Sequence, residues 1–120
     1  MKYRKKKKMP EKKHDKYAIE ISQQFKRDLA EIIGYIAQNS PLNATKIKKR
    51  IQVKINTLEH FPYRGSYVPE LLAHNNKDYR QITESPWKIV YRVDEKIVRI
   101  LAIVDTRRDL QDVLLEKLLK

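Results

Sequence analysis

The side chains of this sequence that could act on a charged substrate are cations: Arg64, Arg80, Lys88, Arg107 and Arg108. Gathered in one place, they would hold a phosphate or a carboxylate-rich surface, arginine through a planar fork and lysine as a point charge. Arg64 sits beside Gly65 in a turn that can swing toward the neighbouring segments, and Arg80, Lys88, Arg92 and Arg99 are spaced along residues 79–104. Convergence depends on strand register, which side-chain alternation does not set. The competing reading makes them ordinary exposed charges, or partners for Glu70, Glu84, Asp94 and Asp105. Other chemistries are poorly represented. Two glycines, Gly34 and Gly65, do not make a phosphate-cradling loop. No HExxH or paired His/carboxylate spacing suggests a metal site, and no cofactor motif is present. His14, His60 and His74 are isolated from any partner motif and read as surface residues.

Charge sets the broader bounds. The chain has 120 residues, a formal net charge of +12 and a hydrophobic fraction of 41%, enough for one modest core in a single domain. A field of that sign attracts nucleic acid, acidic protein or anionic membrane without choosing among them. Residues 1–16 carry nine Lys or Arg against Glu11 and Asp15, more than half of the net charge. They have almost nothing apolar to bury, so the expectation is a disordered basic tail followed by one domain over residues 17–120. The absence of cysteine fits a reducing compartment. No apolar run approaches the roughly 20 residues of a membrane span, and no apolar segment follows the basic start as in a secretory signal.

The elements that must position the cations follow from periodicity. Residues 17–22 alternate and predict a strand, after which Ser22 can cap a helix. Phe25, Leu29, Ile32, Ile33 and Ile36 form one helical stripe, whose full burial would contribute roughly 8–15 kcal/mol gross. Gly34 interrupts that helix, and close packing against a neighbour is the expected reason. Ser40 and Pro41 begin a second helix carrying Ala44, Ile47, Ile51, Ile55 and Leu58 on one side, with Lys46, Lys48, Lys49, Arg50 and Lys54 occupying much of the remainder. Phe61-Pro62 stops it. Residues 80–83, 87–93 and 97–104 then read as an antiparallel meander, and Leu110, Val113, Leu114 and Leu118 as a short terminal helix. The predicted class is α+β in the order β-α-α-β-β-β-α, a helical hairpin packed on a small antiparallel sheet.

That order, with Phe61-Pro62, Arg64-Gly65, Val68-Pro69-Glu70-Leu71, Tyr79-Arg80, Trp87-Lys88-Ile89-Val90-Tyr91-Arg92-Val93 and Arg107-Arg108-Asp109, resembles the RelE/ParE toxin family. The resemblance covers about residues 17–115. It implies a cytoplasmic bacterial protein, the toxin of a type II toxin–antitoxin system, neutralised by a cognate antitoxin encoded beside it. A homodimer and a heterotetramer with that antitoxin are both compatible with it. The RelE-like branch, with YoeB as a relative, cleaves mRNA on the ribosome without metal, and Arg80 matches the arginine it uses. Arg64, however, stands where YoeB-like members place a catalytic glutamate, and Thr106 and Arg107 stand near their terminal His-Tyr pair. Arginine cannot serve as a general base. The ParE-like branch, which inhibits DNA gyrase by binding, shares the long helical hairpin and is the branch favoured. A basic nucleic-acid-binding module outside the family is a third reading, without a recognisable nucleic-acid-binding motif to support it.

Overall fold

Five strands make one sheet whose spatial order is not the chain order. The computed structural model describes residues 16–107 and 117–118. Along the chain lie β1 (Ala18–Ile21), α1 (Gln23–Asn39), α2 (Pro41–Asn56), a 3-10 turn (Thr57–Glu59), β2 (Ser66–Tyr67), α3 (Pro69–Leu72), β3 (Arg80–Glu84), β4 (Trp87–Asp94) and β5 (Ile97–Asp105). The order across the sheet is β1-β5-β4-β3-β2. The predicted meander is β3-β4-β5, antiparallel throughout, with the two-residue β2 added outside β3. β1 departs from the antiparallel expectation: it pairs parallel to β5, from Ala18↔Ile97 to Ile21↔Ile100. A parallel neighbour needs a long crossover, and the helical hairpin lies within the connection between β1 and β5. Alternation at residues 17–22 carries no information on direction. All of the expected basic tail of residues 1–16 but Lys16, together with Arg108 and most of the expected terminal helix, lies outside the described residues.

A bulge in β5 explains why that strand reads as apolar on both faces. Val90 pairs with Ala102 and Tyr91 with Ile100, so Leu101 is the extra residue. Across the shift, Val98, Ile100 and Ile103 all reach the core under the hairpin, with Ile82, Trp87, Ile89 and Tyr91. Leu101, Ala102 and Val104 pack on the opposite face with Val68, Leu71, Tyr79 and Leu118. The sheet is therefore covered on both sides, and Val68 and Leu71, from the connection between β2 and β3, supply part of the second cover. Ser22 ties the helical layer to the bulge: its Oγ accepts from the Phe25 amide at 3.0 Å and donates to the Leu101 carbonyl at 3.1 Å.

The hairpin is joined by Ser40 alone, which follows the last turn of α1 and caps α2 by accepting from Asn43 N at 3.1 Å. α2 buries Ala44, Ile47, Ile51 and Ile55, and Leu58 follows them into the core, as the spacing predicts. α1 buries only Phe25 fully; Leu29, Ile32, Ile33 and Ile36 are half-buried, so the predicted stripe realises only part of its burial. Leu29 and Ile33 face an open groove of about 470 Å³ beside α1, lined also by Ala30 and Gly34 between Lys26 and Lys48. Gly34 is not there for internal packing, because a Cβ built on it meets no atom within 4 Å. Glu84 fastens α2 to the end of β3, accepting from Arg50 Nη2 at 2.7 Å and lying 3.8 Å from Lys54 Nζ. No helix among the described residues is long and apolar enough to cross a membrane.

Since glycine in a helix interior costs about 0.5–1 kcal/mol relative to alanine, Gly34→Ala is expected to stabilise the isolated chain by that amount. Urea unfolding checks it. A destabilised Gly34→Ala chain would mean that a neighbour does approach this turn of α1.

Candidate target-binding loop and its cations

The loop after the second helix is held from inside the sheet. Phe61 N donates to Thr57 O and Arg64 N to Phe61 O, which curls residues 57–64 tightly after Leu58 enters the core. The buried Tyr91 hydroxyl then reaches the loop from β4. It donates to Pro62 O at 2.8 Å and accepts from Gly65 N at 3.0 Å. Gly65 is required by this approach, since a Cβ there would lie 2.6 Å from both Gln81 O and the Tyr91 hydroxyl. Burial pushes the Tyr91 phenol above its ordinary value, against the Gly65 amide and the nearby positive charges of Arg80 and Arg64, which pull it down.

Arg64 and Arg80 are brought together around this anchor, and each gives part of its donor set to the loop. Arg80 Nη1 donates to Gly65 O at 2.8 Å and to Tyr63 O at 3.4 Å. Its guanidinium lies 4.6 Å from the Tyr67 ring centroid and 5.2 Å from that of Tyr63, within cation–π range of both. Arg64 turns back to donate to Thr57 Oγ1 at 2.8 Å. Lys88 does not join them. It stands opposite Thr83 and Val104 in register and alternates with Trp87 and Ile89, which face the hairpin core. Arg107 follows β5 and is held by Asp105, with Nε at 2.8 Å and Nη2 at 2.5 Å. Asp105 pairs with Trp87, whereas Arg80 pairs with Tyr91. Those two positions of β4 are about 13 Å apart at roughly 3.3 Å per residue. Convergence of the whole cation set is not what the register produces. Arg108 lies outside the described residues.

Three of the four carboxylates weighed as partners are engaged by basic side chains. Glu84 is engaged by Arg50 and Lys54, and Asp105 by Arg107. Asp94 accepts from Arg99 Nε at 2.9 Å and Arg92 Nε at 3.1 Å. Desolvation pushes its carboxyl up, but the two arginines outweigh that and leave it below the usual range. Among the described residues, no group of three or more His, Cys, Asp or Glu could hold a metal ion. What sequence reasoning missed is aromatic. Phe61, Tyr63 and Tyr67 surround the Arg64-Gly65 pair and are all exposed. The signal was their recurrence around an arginine and a glycine in a loop, where a buried core does not account for them.

Tyr91→Phe should cost about 1–3 kcal/mol at neutral pH, because it leaves the Gly65 amide and Pro62 carbonyl without their buried partner. The raised phenol pKa means that folding holds the proton more tightly than the unfolded chain does. The corresponding stability is present below pH 10 and is lost as the pH rises through the folded-state value. Urea midpoints measured from pH 7 into the alkaline range should fall more steeply for the wild type than for Tyr91→Phe. Parallel curves would contradict the role given to this hydroxyl.

Comparison with known proteins places this geometry. A family model described as the ParE toxin of type II toxin–antitoxin system, parDE, matches residues 19–110. No match is found among curated proteins. Among solved structures, a chain of the chromosomal ParDE toxin–antitoxin system from P. aeruginosa is similar, with a TM-score of 0.61 and 21% identity over 76% of this chain and 97% of that one. A chain of the toxin–antitoxin complex RelBE2 from Mycobacterium tuberculosis is similar at a TM-score of 0.50 and 17% identity, over 75% of this chain and 91% of that one. At such identities the neighbours attest the fold, while the family model spans more than three-quarters of the chain. The chain belongs to the ParE toxin family of type II toxin–antitoxin systems.

Proposed function

We propose that this toxin acts by binding and inhibiting DNA gyrase rather than by cutting mRNA, and that its cognate antitoxin covers the open side of the helical hairpin. The observation that carries the first half is the condition of Arg80. It is hydrogen-bonded to two loop carbonyls and stacked on two tyrosines, and among the described residues it has no carboxylate partner. Cleavage through a 2′-hydroxyl needs a group to accept its proton and another to protonate the leaving oxygen. The positions that would supply them by resemblance hold Arg64, Thr106 and Arg107, and Arg107 lies near the far end of β4's pairing from Arg80. Clamping without proton transfer forfeits typically about 10²–10⁴-fold in rate.

The second half rests on the groove beside α1. Its floor is apolar, Lys26 and Lys48 stand at its margins, and Gly34 admits close approach of another backbone. α2 carries five Lys or Arg and no Asp or Glu along Pro41–Asn56. An amphipathic acidic segment that orders on binding fits both features. Its affinity should fall several-fold between low and physiological ionic strength while an apolar component persists. Titration of the antitoxin at two salt concentrations checks this, and salt-independent binding would remove the lysines from the interface.

Induced expression, alone and together with the neighbouring gene, tests the target. Growth arrest relieved by the neighbour, loss of supercoiling by purified gyrase and intact ribosome-bound mRNA are expected. Cleavage of mRNA at defined codon positions, abolished by Arg80→Ala, would establish a ribonuclease instead.

A further inference from the structure

Soluble proteins rarely leave several aromatic side chains in water on one rigid loop without a use for them. Here Phe61 is 67% exposed, Tyr63 57% and Tyr67 39%. The backbone that carries them is fixed at four points: the Tyr91 hydroxyl on Pro62 and Gly65, Arg80 on Gly65 and Tyr63, Arg64 on Thr57, and β2 on β3. A surface already ordered loses little further entropy on association, and tyrosine, with two side-chain torsions, loses little of its own. Tyrosine and arginine are also the residue types over-represented where a protein interface concentrates its energy.

We propose that Phe61, Tyr63 and Tyr67, braced by Arg80, form the surface that seats in the inhibited protein, in an apolar pocket flanked by carboxylates. This rests on the reading that the toxin acts by binding. The charge around the rim selects the partner. Between Tyr63, Tyr67, Arg80 and Lys77 lies a recess of about 200 Å³ whose lining also includes Asp78 and Asp94, the latter already held by Arg92 and Arg99. Among the described residues only Nη1 of Arg80 is engaged by protein hydrogen-bond acceptors, which leaves the rest of its donor fork for an incoming carboxylate. A protein suits the rim better than a nucleic-acid strand. Bases need open ring faces, and Arg80 lies over one face of each tyrosine.

The test uses the full chain with Phe61→Ser and Tyr63→Ala, and with Val53→Ser as a matched change of an exposed apolar residue on α2. Thermal midpoints, half-inhibitory concentrations against gyrase supercoiling, growth arrest on induction and anisotropy with a labelled single-stranded RNA 12-mer are recorded. Each rim variant is expected to raise the half-inhibitory concentration at least tenfold with its midpoint within about 3 °C of wild type, while Val53→Ser changes neither. Tyr63 packs against Arg80, so should its removal unfold the chain, Phe61→Ser decides alone, since only its backbone is hydrogen-bonded. Undiminished inhibition by the folded rim variants overturns the surface and leaves the binding reading intact. If the wild type arrests growth without affecting gyrase, gyrase is removed as the target, and retained arrest by Phe61→Ser then overturns the surface. Submicromolar binding of the RNA by wild type that is lost in Tyr63→Ala overturns the protein partner in favour of nucleic acid.

Discussion

The hydroxyl of Tyr91 is the contact on which the loop end of this fold depends. Its ring belongs to the core beneath the hairpin, with Ile89 and Ile100, while its oxygen satisfies one donor and one acceptor of the loop after α2. A buried hydroxyl must find such partners or carry its full desolvation cost. The loop in turn has to bring Gly65 close enough to supply one, and a residue with a Cβ cannot come that close. Everything outside follows from this. With Pro62 and Gly65 fixed, the Gly65 carbonyl is in place for Arg80, and Arg80 then lies against Tyr63 and Tyr67. A sheet residue thereby determines the shape of a surface that it does not touch.

Much of the architecture is legible in the residues, and the parts that are not share a cause. The helical hairpin follows from apolar spacings and from Ser40-Pro41, which satisfies orphan amides at the start of α2. The meander follows from alternation and short polar turns. Both signals are local. The parallel pairing of β1, the bulge at Leu101 and the second core around Val68, Leu71 and Tyr79 depend on which distant segments meet, and a one-residue shift exchanges faces without changing the composition of either strand. The half-buried stripe of α1 shows the same limit. Periodicity identifies the side that prefers to leave water, but not whether this chain alone covers it.

The cations illustrate that limit at the candidate site. Arg64 and Arg80 were identifiable as neighbours of Gly65 and of a strand start, and they do meet around Tyr91. Lys88 and Arg107 carry the same charge in the same segment, yet register sends Lys88 to the alternate set of β4 and Arg107 to the carboxylate of Asp105. Aromatic side chains as a type favour burial. For Trp87 and Tyr91 that is correct; for Phe61, Tyr63 and Tyr67 the loop keeps them in water. Position relative to a rigid loop, not residue type, separates the two groups.

The distribution of paired and unpaired charge has a consequence for association. Near the sheet, Arg92, Arg99 and Arg107 each have a carboxylate within salt-bridge distance, and Arg50 and Lys54 reach Glu84 from α2. These exposed pairs contribute little to stability individually. Their larger effect is to cancel field locally, so that the positive potential is concentrated along Lys46, Lys48 and Lys49 of α2, a helix that itself carries no Asp or Glu. Such a field speeds the encounter with an acidic partner and fades with salt, but contributes less to how long the complex lasts. Residence depends on desolvated apolar contact, which the groove beside α1 and the aromatic rim both offer. They lie on different elements, one on the hairpin and the other on the loop that Tyr91 secures. Under the proposal that the antitoxin seats in the groove and the rim meets the target, silencing would follow in one of two ways: by extending across to the rim, or by adding bulk that the target cannot accommodate.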